Sequence, residues 1–348
     1  MKVLFGWELG GGQGHIQRLA ALARMLESNG VEPIFALKSY KIKGMSFPWQ
    51  IVFAPYLPFS GRAESYTLTD ILETFGFGNP SLLRSHLQAW QSILSQVKPS
   101  LVITDYAPGL VLAARGVIPT VVTGDSFAVP PPVEVFPSLR LPTPPESAKR
   151  QEQVSHAVRE VVKSDKLLGE ILFGDASFIF GIPELDPYRH LRTKCQKYLS
   201  VHITPIPRNL HSSDGPAWAY LYEDYPYREL VLQTLRPQCD FKPLTEILAG
   251  KSLAIHHGSS TTAITCLLAG IPQLIFPKHL EHQLNAMTLS QLGVAKVPTT
   301  LTWESLLIAQ AEAYTLTENA LQKAESLAYW NQNFMSIFLN ICLKFLGQ

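Results

Sequence analysis

The stretch "IHHGSSTTAITCLLAGIP", residues 255–272, places four consecutive hydroxyl residues between a histidine pair and an apolar run. Ser252 to Ile255 read as a short buried strand, and Ala263 to Ala269 as a helix closed by Gly270 and Pro272. The polar run is therefore a helix N-terminus. Its unpaired N–H groups and about half a positive charge make a seat for a phosphate or another anion. The same residues also read as plain capping, with Ser259, Ser260, Thr261 or Thr262 accepting from the first turn.

Outward from this point the chain alternates strand-like and helix-like segments, the pattern of parallel sheets covered by helices. "KVLFGW" is a strand, and Ile16, Leu19, Ala20, Ala23 and Leu26 then recur at helical spacing. "EPIFAL", "QIVFAP", "SLVITD" and "IPTVVTG" are further strands, with helices over 80–96 and in "GLVLAARG". The proline-rich segment 127–145 lacks the backbone donors of regular structure and reads as a surface loop, or as a wall of a binding site. A second alternating series starts at "AWAYLY" and includes "QLIFP", a helix from Glu281 to Leu292, and "GVAKVP". The expected organisation is an N-terminal Rossmann-like domain over 1–210 and a smaller one over 211–325. The apolar helix in 326–348 either packs back on the domains or lies on a membrane surface. Two such α/β domains are expected to face one another across a cleft, with ligand groups on loops at the carboxyl ends of strands.

The 348 residues are 46% hydrophobic, with 29 Lys and Arg against 28 Asp and Glu. That balance gives no footprint for a nucleic-acid partner. The opening "MKVLFGWELGGG" is too short in apolar residues for a signal peptide, and no window reaches the roughly 18 apolar residues of a membrane span. A cytoplasmic location is expected. Cys195, Cys239, Cys266 and Cys342 have no metal-ligand spacing and read as reduced, mostly buried thiols.

The loop "GWELGGGQGHIQR" invites a dinucleotide reading, which fails on spacing. Counted from Gly10, the third glycine of G-x-G-x-x-G falls at His15; counted from Gly12, it falls at Gln17. The second strand runs into Lys38 instead of an acid that would hold a ribose, and no phosphate-loop motif occurs. What remains is His15 at the start of a helix, where the dipole favours a neutral imidazole able to accept a proton. Asp105 ends a strand of the same sheet, so its carboxylate is placed to orient His15.

Taken together, "GGGQGHIQRLAALARMLESNG", "KPSLVITDYAPGLVLAARGVIPTVV" and "HHGSSTTAITCLLAGIPQLIFPKHLEHQLNAMTLSQLGVA" resemble the inverting GT-B glycosyltransferases of the UDP-glycosyltransferase (family 1) type, and more distantly the MurG-like enzymes. The resemblance implies two Rossmann-like domains and metal-independent transfer of a sugar from a nucleoside-diphosphate donor to an acceptor hydroxyl. It implies His15 as general base, oriented by Asp105, with Gly12 and Gly14 in the acceptor-side loop. It assigns the donor diphosphate to His257, Gly258, Ser260, Thr261 and Thr262. The family's Asp-Gln pair for the donor sugar corresponds to Glu281 and His282, with Gln283 as a substitute one place later. No cofactor or metal is implied. The co-substrate is a UDP-sugar, with dTDP- and GDP-sugars as alternatives, and the acceptor a small molecule, a lipid-linked group or a glycan, with peripheral membrane contact among the options. Two other readings stay open. "GHIQR" also looks like the G-H-x-x-R stretch of nucleotide-sugar hydrolases, with an epimerase a further variant. Ser259 in place of a second glycine, the replaced glutamine and a shortened C-terminal domain motivate a non-catalytic binding protein.

Overall fold

The computed structural model describes residues 1–11, 14–39, 47–61, 64–199, 206–207, 210–239, 244–332 and 334–348. In chain order the first elements are β1 (Lys2–Trp7), α1 (Gly14–Glu27), β2 (Glu32–Leu37), β3 (Gln50–Phe53), α2 (Leu68–Thr74), α3 (Pro80–Val97) and β4 (Leu101–Asp105). They continue with α4 (Pro108–Ala114), β5 (Thr120–Gly124), α5 (Glu146–Val162), α6 (Leu168–Ile171), β6 (Ala176–Phe180) and β7 (Gln196–Leu199). After them come β8 (Trp218–Tyr220), α7 (Arg228–Leu235), α8 (Leu244–Ile247), β9 (Ala254–His256), α9 (Ser260–Leu268), β10 (Gln273–Ile275) and α10 (Leu280–Gln291). The last are β11 (Ala295–Lys296), α11 (Trp303–Tyr314), α12 (Thr317–Ser326) and α13 (Met335–Phe345).

Two compact units result. The first holds Met1–Phe180, Pro187–Tyr198 and Met335–Gln348; the second holds Gly181–Asp186 and Leu199–Phe334. The chain thus passes between units at Tyr198 and Leu199, ahead of the break expected near residue 210, and α13 belongs to the first unit.

The first unit is built on a seven-stranded sheet of order β3-β2-β1-β4-β5-β6-β7. Pairs from β3 through β6 are parallel, with Phe5 opposite both Phe35 and Ile103. β4 and β5 are buried along their whole length, as near-continuous apolar runs must be when helices cover both faces. Among those helices α3 starts where the Asn79 side chain accepts from the N–H groups of Ser81 and Leu82, with Pro80 at its first position. It buries Leu83, Leu87, Trp90, Leu94 and Val97 on one face. Strand order reverses between β1 and β4, so the loops leaving these neighbours diverge and open a crevice at their carboxyl ends. Asp105 is the last residue of β4, and His15 follows β1 at the start of α1.

The proline-rich segment is a surface loop only in part, with Val135 and residues 141–143 exposed. Val129, Pro130, Pro131 and Phe136 are buried. Its carbonyls recruit side-chain donors: Arg192 Nη1 donates to Val129 O at 2.9 Å and Gln196 Nε2 to Pro130 O at 2.8 Å. Gln151 Oε1 in turn accepts the Phe136 N–H. The residues that read as a loop because they lack donors are held by donors from elsewhere.

The second unit carries a four-stranded sheet among its described residues, order β11-β10-β9-β8, all parallel. Ile255 sits between Ala219 and Leu274 at its centre. α9 springs from the carboxyl end of β9, as the opening stretch requires. Cys266 and Cys342 are buried, and burial pushes both thiols up, whereas Cys195 and Cys239 are exposed against expectation.

Within the first unit α13 buries Phe338 and Cys342 completely, with the Phe338 ring 5.3 Å from that of Phe178. Its apolar face is covered there. Among the described residues no helix is long and apolar enough to cross a membrane. Replacing Phe338 with Ala should cost about 3–5 kcal/mol of stability. Urea unfolding checks this, and an unchanged midpoint would show that α13 is not integral to the first unit.

Candidate active site

After β1 the chain turns through Glu8, Leu9 and Gly10, held by the Leu9 N–H donating to Tyr106 O at 2.9 Å. Lys38 Nζ donates to Gly10 O. Gly10 has φ +78°, and a Cβ there would lie 2.6 Å from His15 Nε2 and 3.1 Å from the Tyr106 ring. Only glycine fits. Gly12 lies outside the described residues; Gly14 opens α1, and a Cβ on it would make only ordinary contact, with Arg18.

His15 sits in the first turn of α1 with its ring 5.5 Å from Trp7 and nearly parallel to it. Its Nδ1 is 2.7 Å from Asp105 Oδ1. The carboxylate fixes the tautomer: Nδ1–H donates, and Nε2 keeps its lone pair. Asp105 is fully buried, which alone would push its pKa up, yet the net shift is down because the Arg18 guanidinium and His15 outweigh desolvation. Arg18 Nε donates to Asp105 Oδ2 at 2.7 Å and Nη2 to Oδ1 at 3.1 Å. Arg18 also reaches Asp125 at 3.5 Å. Sequence reading paired His15 with Asp105, met Arg18 only as the end of the G-H-x-x-R stretch, and gave Asp125 no part. The available signal was the spacing of three between His15 and Arg18, which puts both on one helix face.

Tyr106, directly after Asp105, has φ +52°, a left-handed conformation costing roughly 1–2 kcal/mol in a non-glycine residue. The sharp turn it makes leads into an apolar pocket of the first unit, lined by Leu68, Leu72, Thr104, Tyr106, Val111, Val122, Ala128 and Pro130 among others. Ala128 and Pro130 of the proline-rich segment line part of this cavity, whose volume of about 20 Å³ is room for one water.

In the second unit the polar run is cross-linked. His256 Nε2–H donates to Gln273 Oε1 at 3.0 Å and its Nδ1 accepts the Gly258 N–H at 2.9 Å; burial pushes its pKa down to about 4. His257 Nδ1–H donates to Phe276 O at 2.7 Å and Nε2 accepts the Tyr222 N–H at 2.9 Å. Both ring nitrogens of His257 are spent on backbone, and burial pushes its pKa down. In this arrangement the side chain is a neutral strap between two loops. The N–H of Gly258 is likewise taken. Gly258 has φ +92°, and a Cβ would lie 2.9 Å from Ile275 and 3.2 Å from His282 O, so glycine is required here too.

Ser259 caps α9 in position, and its Oγ donates to Thr262 Oγ1 at 3.1 Å. The N–H and hydroxyl of Ser260 both donate to Glu281 Oε1, at 3.1 and 2.8 Å. Asn285 Nδ2 donates to Gly258 O and to Ser260 Oγ. Of the expected diphosphate residues, Thr261 and Thr262 remain with first-turn N–H groups that have no intrahelical acceptor. Ser260 is instead joined to Glu281, from the expected sugar-binding set. His282 is buried, and burial together with neighbouring His279 pushes its pKa to about 2. Gln283 is exposed, and as residues two apart on a helix face apart it lies on another face from Glu281. His279, Glu281 and His282 offer ligand atoms within 4.8 Å of one another.

Two outcomes follow from this geometry. Asp105 has its folded-state pKa below the unfolded value, so its stabilisation is present above about pH 4 and lost as pH falls through the depressed value. Asp105→Asn should flatten the acid limb of the stability profile; an unchanged limb would refute the charge balance. Gly258→Ala should lower the melting temperature, because its positive φ and close neighbours leave no relaxed position for a methyl group.

Residues 231–333 match the family described as "Erythromycin biosynthesis protein CIII-like, C-terminal domain". The elloramycin glycosyltransferase ElmGT of Streptomyces olivaceus is 34% identical over 84 residues, 23% of this chain and 22% of that protein. The match thus spans about a fifth of that relative's length. Among solved structures, the calicheamicin glycosyltransferase CalG4 aligns with TM-score 0.65 at 15% identity, over 100% of this chain and 98% of that one. The spinosyn rhamnosyltransferase SpnG complexed with thymidine diphosphate aligns with TM-score 0.63 at 14% identity, over 94% and 96%. Phytolacca americana UGT2 complexed with UDP-2fluoro-glucose and pterostilbene aligns with TM-score 0.58 at 15% identity, over 93% and 94%. The two-sheet architecture and these neighbours agree: the chain has the GT-B fold, with a segment over 231–333 similar to the erythromycin biosynthesis protein CIII-like C-terminal domain.

Proposed function

We propose that this protein transfers a sugar, with inversion, from a nucleoside-diphosphate donor to the hydroxyl of a small-molecule acceptor. The observation that carries the reading is the buried pair of His15 and Asp105 at the carboxyl edge of the first sheet, 2.7 Å apart. In this reading His15 Nε2 removes the acceptor proton, Asp105 stabilises the imidazolium, and the acceptor oxygen attacks the anomeric carbon in line as the diphosphate leaves.

The leaving diphosphate is assigned to the first turn of α9, with the N–H groups and hydroxyls of Thr261 and Thr262 and the positive end of the helix dipole meeting the developing charge. Glu281 and His282 are assigned to the donor sugar, adjoining that turn through Ser260. The nucleotides held by the spinosyn and Phytolacca enzymes make dTDP- and UDP-sugars the donors to test side by side. No metal enters this chemistry, so the ligand-capable set at His279, Glu281 and His282 is given no part in it.

His15→Ala should lower transfer by about 10²–10⁴-fold while leaving nucleotide affinity unchanged, measured by product formation and calorimetry on one preparation. An unaltered rate would remove His15 from the mechanism. Free sugar accumulating at the same rate with or without an acceptor would mark a hydrolase instead. EDTA should leave the rate of the wild-type protein unchanged; a loss restored by a divalent cation would contradict the metal-free reading.

A further inference from the structure

Two carboxylates and one guanidinium meet behind His15. Asp105 closes β4, Asp125 follows β5, and Arg18 of α1 spans both, with its side chain only 11% exposed. Arg18 uses its fork on both oxygens of Asp105, and its Nη2 stands 3.1 Å from His15 Nδ1. Asp125 is itself oriented, because its Oδ1 accepts the Ala128 N–H at 3.0 Å. With the imidazole neutral, the cluster carries one formal negative charge; with the imidazole protonated, none. Among the described residues, the further charges near the ring are those of Lys38, 5.3 Å over the Trp7 ring, and Glu8, which are of opposite sign and face each other. Trp7 and Tyr106 are uncharged neighbours, Lys38 is committed to Gly10 O, and Glu8 is turned to His86 and the Gly109 N–H.

We propose that Arg18 is a positioning residue: its guanidinium holds Asp105 turned to accept the Nδ1–H of His15 and offsets the paired carboxylates, so that Nε2 stays unprotonated until an acceptor delivers its proton. This rests on the reading of His15 as the base. Without the guanidinium, two carboxylates would face the imidazole uncompensated and favour the imidazolium, which has no lone pair to act with. Without Asp125, the same cluster would carry less negative charge and disfavour the imidazolium. Lysine at position 18 keeps the charge but lacks the planar fork that engages both carboxylate oxygens.

The test is the protonation state of His15 in the full chain, read from imidazole ¹⁵N shifts over a pH series, with His15→Gln identifying its signals. In the wild type Nδ1 should carry the proton and Nε2 the lone pair at neutral pH. In Arg18→Met the His15 transition should move up by about 1–3 pH units, whereas Arg18→Lys should restore most of the wild-type position. Asp125→Asn should move it down, and this variant carries the test if Arg18→Met does not fold. An Arg18→Met transition coincident with wild type, or an Asp125→Asn transition that is unmoved or raised, would overturn the proposal. A lower melting temperature in Arg18→Met with no movement of His15 would show a merely structural ion pair and also overturn it. Titration of UDP and dTDP into the same wild-type sample separates the two readings: absent binding sinks the transfer reading, while the His15 transitions still decide the role of Arg18.

Discussion

The first unit depends on a buried carboxylate whose charge has to be matched on the spot. Asp105 has no solvent contact, and desolvation of such a group costs several kcal/mol. The Arg18 fork matches it from one side and the His15 Nδ1–H donates to it from the other, so three side chains from two elements are locked in one arrangement. Breaking a buried pair of this kind by removing one partner costs about 3–5 kcal/mol, chiefly because a naked charge is left behind. The arrangement therefore specifies geometry more than it adds stability. The sheet makes it achievable: adjacent parallel strands β1 and β4 bring their carboxyl ends side by side, and the reversal of strand order keeps the edge beyond them open.

The second unit solves a different electrostatic problem. The start of α9 collects positive potential, and the loop feeding it is braced by both ring nitrogens of His256 and His257 and by Asn285 Nδ2. Glu281 supplies a carboxylate to Ser260 at the same helix start, a favourable place for negative charge. This leaves the next two residues, Thr261 and Thr262, as the part of the turn assigned to an incoming diphosphate. The neutral histidines matter for the same reason. An imidazolium at position 256 or 282 would have to be buried unpaired, and burial instead holds both rings uncharged.

Much of this was legible in the residues because it depends on local pattern. Buried strands ending at Trp7 and Asp105, the helix containing His15, and the strand-to-helix junction at Ser260 all follow from periodicity and breakers. The fold class follows from their alternation. What was not legible depends on three-dimensional partners. His257 has the residue type of a ligand, but its two nitrogens are taken by Phe276 and Tyr222, which are distant in sequence. Gln283 is close to Glu281 in sequence and on another face of the helix. The proline-rich segment lacks donors of its own, and nothing local reveals that Arg192 and Gln196 provide them. Arg18 was visible only as the arginine of the G-H-x-x-R stretch, because Asp125 and Asp105 meet it only through the sheet.

The most direct measurement is a crystal structure of the protein grown with UDP or dTDP, examined for the position of the diphosphate. The account expects phosphate oxygens within hydrogen-bonding distance of the N–H groups of Thr261 and Thr262, with His257 still bonded to Phe276 and Tyr222. A nucleotide bound with its diphosphate away from the start of α9 would contradict the account.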